Sequence, residues 1–192
     1  MIDSLLAHVG AARAAAPWER FGVEPGGYAL VTLHRPALVD DPQRLRETAE
    51  ALSELARETP IVFPVHPRTQ ARLEAFEVDT SALVVAEPLG YLDFLGLEAE
   101  ARFLLTDSGG VQEETSALGV PCFTLRDTTE RPVTVELGTN TLLGLRPERI
   151  REIPTLLRAP REATAIPLWD GDAGVRSGDV LADALEGAYV RN

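Results

Sequence analysis

Thr106-Asp107-Ser108-Gly109-Gly110-Val111-Gln112-Glu113-Glu114 is the stretch of this chain best suited to hold an anion. It continues the apolar run Arg102–Thr106, so a strand ends here and two glycines carry the backbone into a helix. The first turn of a helix leaves N–H groups without partners and points the positive end of the dipole outward, which suits a phosphate. Ser108 adds a hydroxyl donor. Glu114 stands one turn further on, where a carboxylate can accept from two ribose hydroxyls, as acidic residues of dinucleotide sites do. By itself the run also fits an ordinary turn whose glycines serve only the bend.

A second run, Leu125–Pro132 (LRDTTERP), follows another apolar stretch, and six of its eight residues are charged or carry a hydroxyl. A plain solvated loop needs no such density, although such loops are common. Two of the three histidines, His34 and His66, also follow apolar runs, with Arg35 and Arg68 close by. One such His reads equally well as a solvated loop residue or a helix-capping contact. Two on the same side of a sheet, each with an Arg nearby, favour an anion site.

These residues need elements to hold them, and the apolar runs supply them. Strands are predicted at Tyr28–Leu33, Ile61–Val65, Leu83–Ala86, Arg102–Thr106, Pro121–Leu125 and Thr141–Leu143. Helices are predicted between them. Asp41 offers an N-cap and Pro42 a first helical position, with Leu45, Ala49, Leu52 and Ala56 at helical spacing. Further helices are expected at Arg68–Phe76, at Tyr91–Ala99 with Leu92, Leu95 and Ala99 inward, and at Val111–Leu118. Arg149–Leu157 contains Pro154, so a kink or two short pieces are expected. Asp179–Tyr189 reads as a final amphipathic helix. Strands that are continuously apolar are buried on both faces. The pattern is therefore an α/β fold, a doubly wound and mainly parallel sheet of about six strands. Met1–Gly27, Ala-rich and then broken by Pro17, Pro25 and Gly26-Gly27, reads as a linker helix ahead of one domain spanning 28–192. In such sheets ligands bind at the carboxyl ends of the strands, where all the residues singled out above lie.

Composition removes several function classes. At 192 residues, 45% hydrophobic and 25% charged, the chain is an ordinary globular domain. Its net charge of −12 would repel phosphate backbones and anionic lipid, so neither nucleic acid nor membrane is an expected partner. No apolar run approaches the roughly 20 residues that span a bilayer. Met1–Gly10 has neither a basic region nor a cleavage pattern, so no export signal is read and a cytoplasmic location is expected. All 18 basic residues are Arg. Without Lys there is no Schiff-base chemistry, pyridoxal phosphate anchor or Walker P-loop. One cysteine, Cys122, allows no internal disulfide, and the scattered His8, His34 and His66 argue against structural zinc.

LTDSGGVQEE (Leu105–Glu114), LGVP (Leu118–Pro121) and RDTTERP (Arg126–Pro132) together resemble the non-hydrolysing UDP-N-acetylglucosamine 2-epimerases. VTLHRP (Val31–Pro36), PVHPRT (Pro64–Thr69), PLGYLDFL (Pro88–Leu95), DGDA (Asp170–Ala173) and IDSLL (Ile2–Leu6) support the resemblance in the same order along the chain. It implies one Rossmann-like half of a GT-B arrangement, with the nucleotide sugar between the halves. It also implies interconversion of UDP-N-acetylglucosamine and UDP-N-acetylmannosamine, with UDP eliminated to a 2-acetamidoglucal and added back after inversion at C2. Cell-surface polysaccharide synthesis would use the product.

No metal, nicotinamide or other cofactor is implied. Ser108, Gly109 and Gly110 would hold the diphosphate and Glu114 the ribose. Phe94 and the backbone near Leu89 would flank the uracil. Arg35, Arg131 and the catalytic candidate His34 would reach the phosphates and the sugar. His66 would belong to a second, activating UDP-N-acetylglucosamine site. Pro36-Ala37-Leu38 replaces a frequent Glu-Asn pair, and Leu89 stands where some members have Gln. The resemblance covers the C-terminal half of the family pattern. The expected partners are therefore UDP or UDP-N-acetylglucosamine, the missing N-terminal Rossmann-like half, and a second copy in a full-length homodimer. The chain alone is expected to be inactive. Two rival readings are a stand-alone UDP or UDP-sugar binding module and half of a GT-B glycosyltransferase, the latter disfavoured by RDTTERP.

Overall fold

The computed structural model describes residues 1–159 and 164–189, so the end of the expected domain, 190–192, lies outside the described residues. Six parallel strands form one sheet in the order β3-β2-β1-β4-β5-β6. They are β1 (Ala29–Thr32), β2 (Ile61–Pro64), β3 (Val84–Ala86), β4 (Phe103–Thr106), β5 (Cys122–Thr124) and β6 (Asn140–Leu142). The helices are α1 (Ile2–Ala14), α2 (Pro36–Val39), α3 (Pro42–Leu55), α4 (Pro67–Ala75), α5 (Tyr91–Glu100), α6 (Gly109–Leu118), α7 (Pro132–Glu136), α8 (Ile153–Leu156) and α9 (Ala173–Tyr189). Short 3-10 turns run over Pro17–Phe21 and Pro147–Glu152.

The alternation of side chains along a strand assigns the helices to faces. Ala29, Val31, Phe103, Leu105 and Phe123 point to one face, where α2, α3, α4 and α8 bury Leu38, Leu45, Leu52, Leu73 and Ile153. Leu30, Val62 and Leu104 point to the other, against Leu97 of α5 and Val111 of α6. Both faces are covered, which is why the strands read as continuous apolar runs. Cys122 is fully buried in β5, and burial pushes its thiol up to about 12, so it stays a neutral packing residue.

Local signals place α3 where the sequence put it. The Asp41 carboxylate accepts from the backbone N–H of Gln43 at 3.0 Å and of Arg44 at 3.1 Å, with Pro42 at the first helical position. Other boundaries differ. α6 starts at Gly109, not Val111, so both glycines lie inside its first turn. The stretch containing Pro154 is two pieces, but the first is a 3-10 turn that begins at Pro147. Leu92 does not share the inward face with Leu95 and Ala99; it is 44% exposed. The inward face of α5 is instead Leu95–Ala99, because α1 lies along this helix. Leu5 and Ala12 of α1 are fully buried against Leu95.

Candidate functional site

β1 and β4 are central neighbours in register, Thr32 opposite Thr106, and the chain leaves them in opposite directions across the sheet. This is the topological switch point, where open α/β sheets form a crevice. His34 and Arg35 follow β1; Asp107 and Ser108 follow β4. The structure joins the two loops through Asp107, which is almost fully buried. One carboxylate oxygen accepts from the backbone N–H of His34 at 2.8 Å and of Arg35 at 2.7 Å. The other lies 3.0 Å from His34 Nδ1 and has no further hydrogen-bond partner, so a proton on Nδ1 is what satisfies it. The Arg35 Nε donates to the Asp107 carbonyl at 2.8 Å.

His34 is 39% exposed at its side chain. Its hydrogen bond to the Asp107 carboxylate raises the His34 pKa above the ordinary imidazole value; partial burial and Arg35 oppose the shift. With Nδ1 committed to Asp107, Nε2 is left for a ligand.

At α6 the strand gives way to Ser108 as N-cap, whose hydroxyl makes no capping bond. The Ser108 N–H donates to the Thr106 hydroxyl at 2.9 Å, which fixes the bend. The helix starts at Gly109, directly after the loop that leaves β4 at the crevice. Arg131 comes to the same place: its guanidinium passes 3.4 Å from where a Cβ on Gly109 would stand, and its Nε donates to Glu113 at 3.0 Å. The loop that carries it is pinned from below. Buried Gln112 accepts from the Thr129 hydroxyl at 2.6 Å and from the Asn140 amide at 3.0 Å, and donates to the Ser108 carbonyl at 3.1 Å. α7 then begins directly after Arg131.

Arg126 is the other basic residue of this loop and only 13% exposed. It grips Glu130 with two bonds of 2.8 and 2.6 Å and pulls that carboxylate down to about 2. Asp107 acts on Arg126, and Arg35 on Glu130, so this pair lies within the field of the loops after β4 and β1.

Glu114 is half-buried on α6, facing α5 rather than open solvent. Burial is the main cause that raises its pKa, opposed by hydrogen bonds to Glu98 and Tyr91. Phe94 and Leu89 are partly buried on the same side, packed around Leu30 and Leu97. The structure thus gathers Arg35, Ser108, Gly109, Gly110 and Arg131 around one crevice, with Glu114 on the side of α5, which carries Phe94.

His66 sits on the far side of His34, ring centroids 5.8 Å apart. Its Nδ1 accepts from the Arg68 N–H at 3.2 Å, the capping contact the sequence allowed. Arg68 and Arg72 both turn to Asp40, whose carboxylate they hold below its usual range. Among the described residues no hydrogen bond joins His66 to α6. Asp107, Gln112 and Arg126 were visible within the two runs but were not singled out there. A carboxylate next to a strand end and a polar residue on the inward side of a helix were the available signals.

Comparison with known proteins gives this geometry a family. The sequence profile described as UDP-N-acetylglucosamine 2-epimerase matches residues 1–182. A UDP-N-acetylglucosamine 2-epimerase of Methanocaldococcus jannaschii is 42% identical over 156 residues, 78% of this chain and 43% of the relative. The structure of that organism's enzyme with UDP-GlcNAc and UDP superposes with a TM-score of 0.83 at 37% identity, covering 94% of this chain and 52% of that one. A UDP-2,3-diacetamido-2,3-dideoxy-D-glucuronate 2-epimerase of Pseudomonas aeruginosa is 42% identical over 127 residues, 66% of this chain and 36% of the relative. The chain spans about half the length of the relatives it matches. Among the described residues no helix is long and apolar enough to cross a membrane. The chain belongs to the UDP-N-acetylglucosamine 2-epimerase family.

Proposed function

We propose that this chain is the UDP-binding half of a UDP-N-acetylglucosamine 2-epimerase, with residues 28–192 as the nucleotide domain and 1–27 leading into it. One observation carries the reading. The first turn of α6, which has no side-chain cap, Arg131 laid across Gly109, and Glu114 further along the helix stand in line at the switch point of the sheet. That line fits a diphosphate followed by a ribose. Phe94 and the backbone at Leu89 flank the uracil beyond it.

Joined to an N-terminal half, the site would hold UDP as it leaves C1 of the sugar and returns. Ser108, Gly109, Gly110 and Arg131 stabilise the negative charge on the departing diphosphate. Arg35 supports the β1 side. His34, whose protonated form Asp107 favours, offers Nε2 as the proton donor there. His66, on the outer side of His34, is the candidate for a second UDP-sugar site. We place the full-length protein in the cytoplasm as a homodimer. A second reading, epimerisation of another 2-acetamido UDP-sugar, is favoured by the P. aeruginosa relative, which matches at the same identity as the M. jannaschii one.

Titration calorimetry on the purified chain tests the nucleotide site. UDP is expected to bind in roughly the micromolar to millimolar range, as a ligand buried on one side only. Glu114→Gln removes a charged acceptor while keeping shape and helix propensity. It should weaken UDP about ten- to a hundredfold with little change in Tm. The wild type should prefer UDP to 2′-deoxy-UDP and the variant should not. No heat with millimolar UDP, or equal binding of AMP, would defeat the assignment.

A further inference from the structure

Glu98 is fully buried in the last turn of α5, and both of its carboxyl oxygens lack a hydrogen-bond donor. A buried carboxylate in that state would be strongly disfavoured. Among the described residues the polar group that acts on it by charge and hydrogen bonding is the Glu114 carboxyl of α6. Two carboxylates cannot bond each other, because both only accept; one carboxylic acid and one carboxylate can. The two residues differ in exposure: Glu98 is closed off from solvent, whereas Glu114 is only partly buried. The proton therefore belongs on Glu98 and the charge on Glu114. Burial pushes the Glu98 carboxyl well above its ordinary range, and the neighbouring Glu114 charge pushes it further.

We propose that Glu98 is a positioning residue for the nucleotide site: its carboxyl donates a hydrogen bond to Glu114 and so fixes the carboxylate that takes the ribose. The proposal rests on the ribose role given to Glu114 above. It explains why an acidic residue stands among Leu95, Leu97 and Ala99 on the inward face of α5. The charged and titratable groups around the pair are few. Tyr91 of α5 hydrogen-bonds to Glu114, Glu113 lies beside it on α6, and the Met1 ammonium ahead of α1 acts on it. The neutral Cys122 thiol of β5 lies on the Glu98 side. Tyr91 and Glu98 are thus the two groups whose hydrogen bonding acts on the Glu114 carboxylate.

The sign of the pH effect follows. Below its raised pKa, Glu98 is an acid and a donor. As pH rises through that value it ionises, the donor is lost and a second negative charge faces Glu114. Calorimetry on the full chain would measure the ratio of 2′-deoxy-UDP to UDP dissociation constants from neutral to alkaline pH. In that ratio the titrations of uracil and phosphate cancel.

Three proteins suffice. The wild-type ratio should fall at alkaline pH. Glu98→Leu should lower the neutral-pH ratio by about three- to tenfold, the worth of one hydrogen bond. Glu98→Gln, whose amide still donates and does not titrate, should restore the neutral ratio and hold it flat with pH. If the wild type discriminates and Glu98→Leu discriminates equally, Glu98 has no positioning role while the nucleotide reading stands. If Glu98→Leu does not fold, the Glu98→Gln profile decides, and an alkaline fall unchanged from wild type overturns the proposal. If the wild type itself binds both ligands alike, the ribose role of Glu114 fails and the proposal falls with it.

Discussion

Asp107 shows how one residue can organise a site without touching a ligand. Its carboxylate receives two backbone N–H groups and faces His34 Nδ1, so it fixes both the β1 loop and the imidazole tautomer. Asp107→Asn separates these tasks. The amide oxygen can still accept the two N–H bonds, but the negative charge is gone. His34 should then titrate at a lower pH than in the wild type, followed by the imidazole proton resonances over a pH series. The stability contribution has a defined sign. A raised His pKa contributes stability that is fully present below the unfolded-state value, about 6.5, and is lost as pH rises through the folded value. The variant should therefore lose stability relative to wild type on the acid side and converge with it at alkaline pH. An unshifted His34 titration would remove Asp107 from this role. The sequence displayed Asp107 but gave no reason to prefer it to Ser108, because the partner that defines it, the turn after β1, is about 70 residues away. Gln112 and Glu98 were hidden for the same reason. Each reads as a polar residue on a helix until its neighbours from other elements are known.

The elements themselves were largely legible, because burial on both faces writes each strand as an apolar run bounded by Gly, Pro or a charge. The sheet's parallel sense followed from strand–helix alternation, whereas the switch point between β1 and β4 depends on strand order, which alternation does not give. Short pieces were not legible. α2, α7 and the 3-10 turns at Pro17 and Pro147 are each six residues or fewer and begin at a proline, so periodicity has no length over which to act. The packing of α1 was also missed as a structural feature, and a glycine reveals its geometry. A Cβ on Gly96 would stand 2.6 Å from the Ala12 carbonyl oxygen and 2.7 Å from Pro17 Cγ. Gly10, in α1, has open space around its own Cβ position. The same substitution should therefore act in opposite directions. Gly96→Ala should lower stability by about 1–3 kcal/mol, because backbone must move to admit the methyl. Gly10→Ala should raise it by up to about 1 kcal/mol through helix propensity. Urea unfolding of the two variants checks this, and a gain at both positions would mean that α1 does not pack tightly on α5.

At the scale of the molecule, a chain of net charge −12 nevertheless concentrates Arg35, Arg126 and Arg131 at one edge of its sheet. The acidic surface disfavours stray phosphates, and this edge provides the local exception. Acidic partners tie two of those arginines down, Glu130 holding Arg126 and Glu113 holding Arg131, so the donors are arranged before a ligand arrives. On the proposed reading, UDP binding needs only this edge together with Glu114 and Phe94 beside it. Epimerisation needs more, since inversion at C2 removes a proton on one face of the sugar and returns one on the other. On the proposed reading His34 would stand beside the diphosphate end, and the opposite wall would fall to the part of the relatives that this chain does not span. The purified chain should therefore bind UDP yet form UDP-N-acetylmannosamine at a rate negligible beside the 1–10³ per second or so of ordinary enzymes. A coupled assay for that product measures it directly. Turnover in the ordinary range would show that one half of the cleft is sufficient, and would move the search for the second proton carrier to His66, the nearest imidazole to His34.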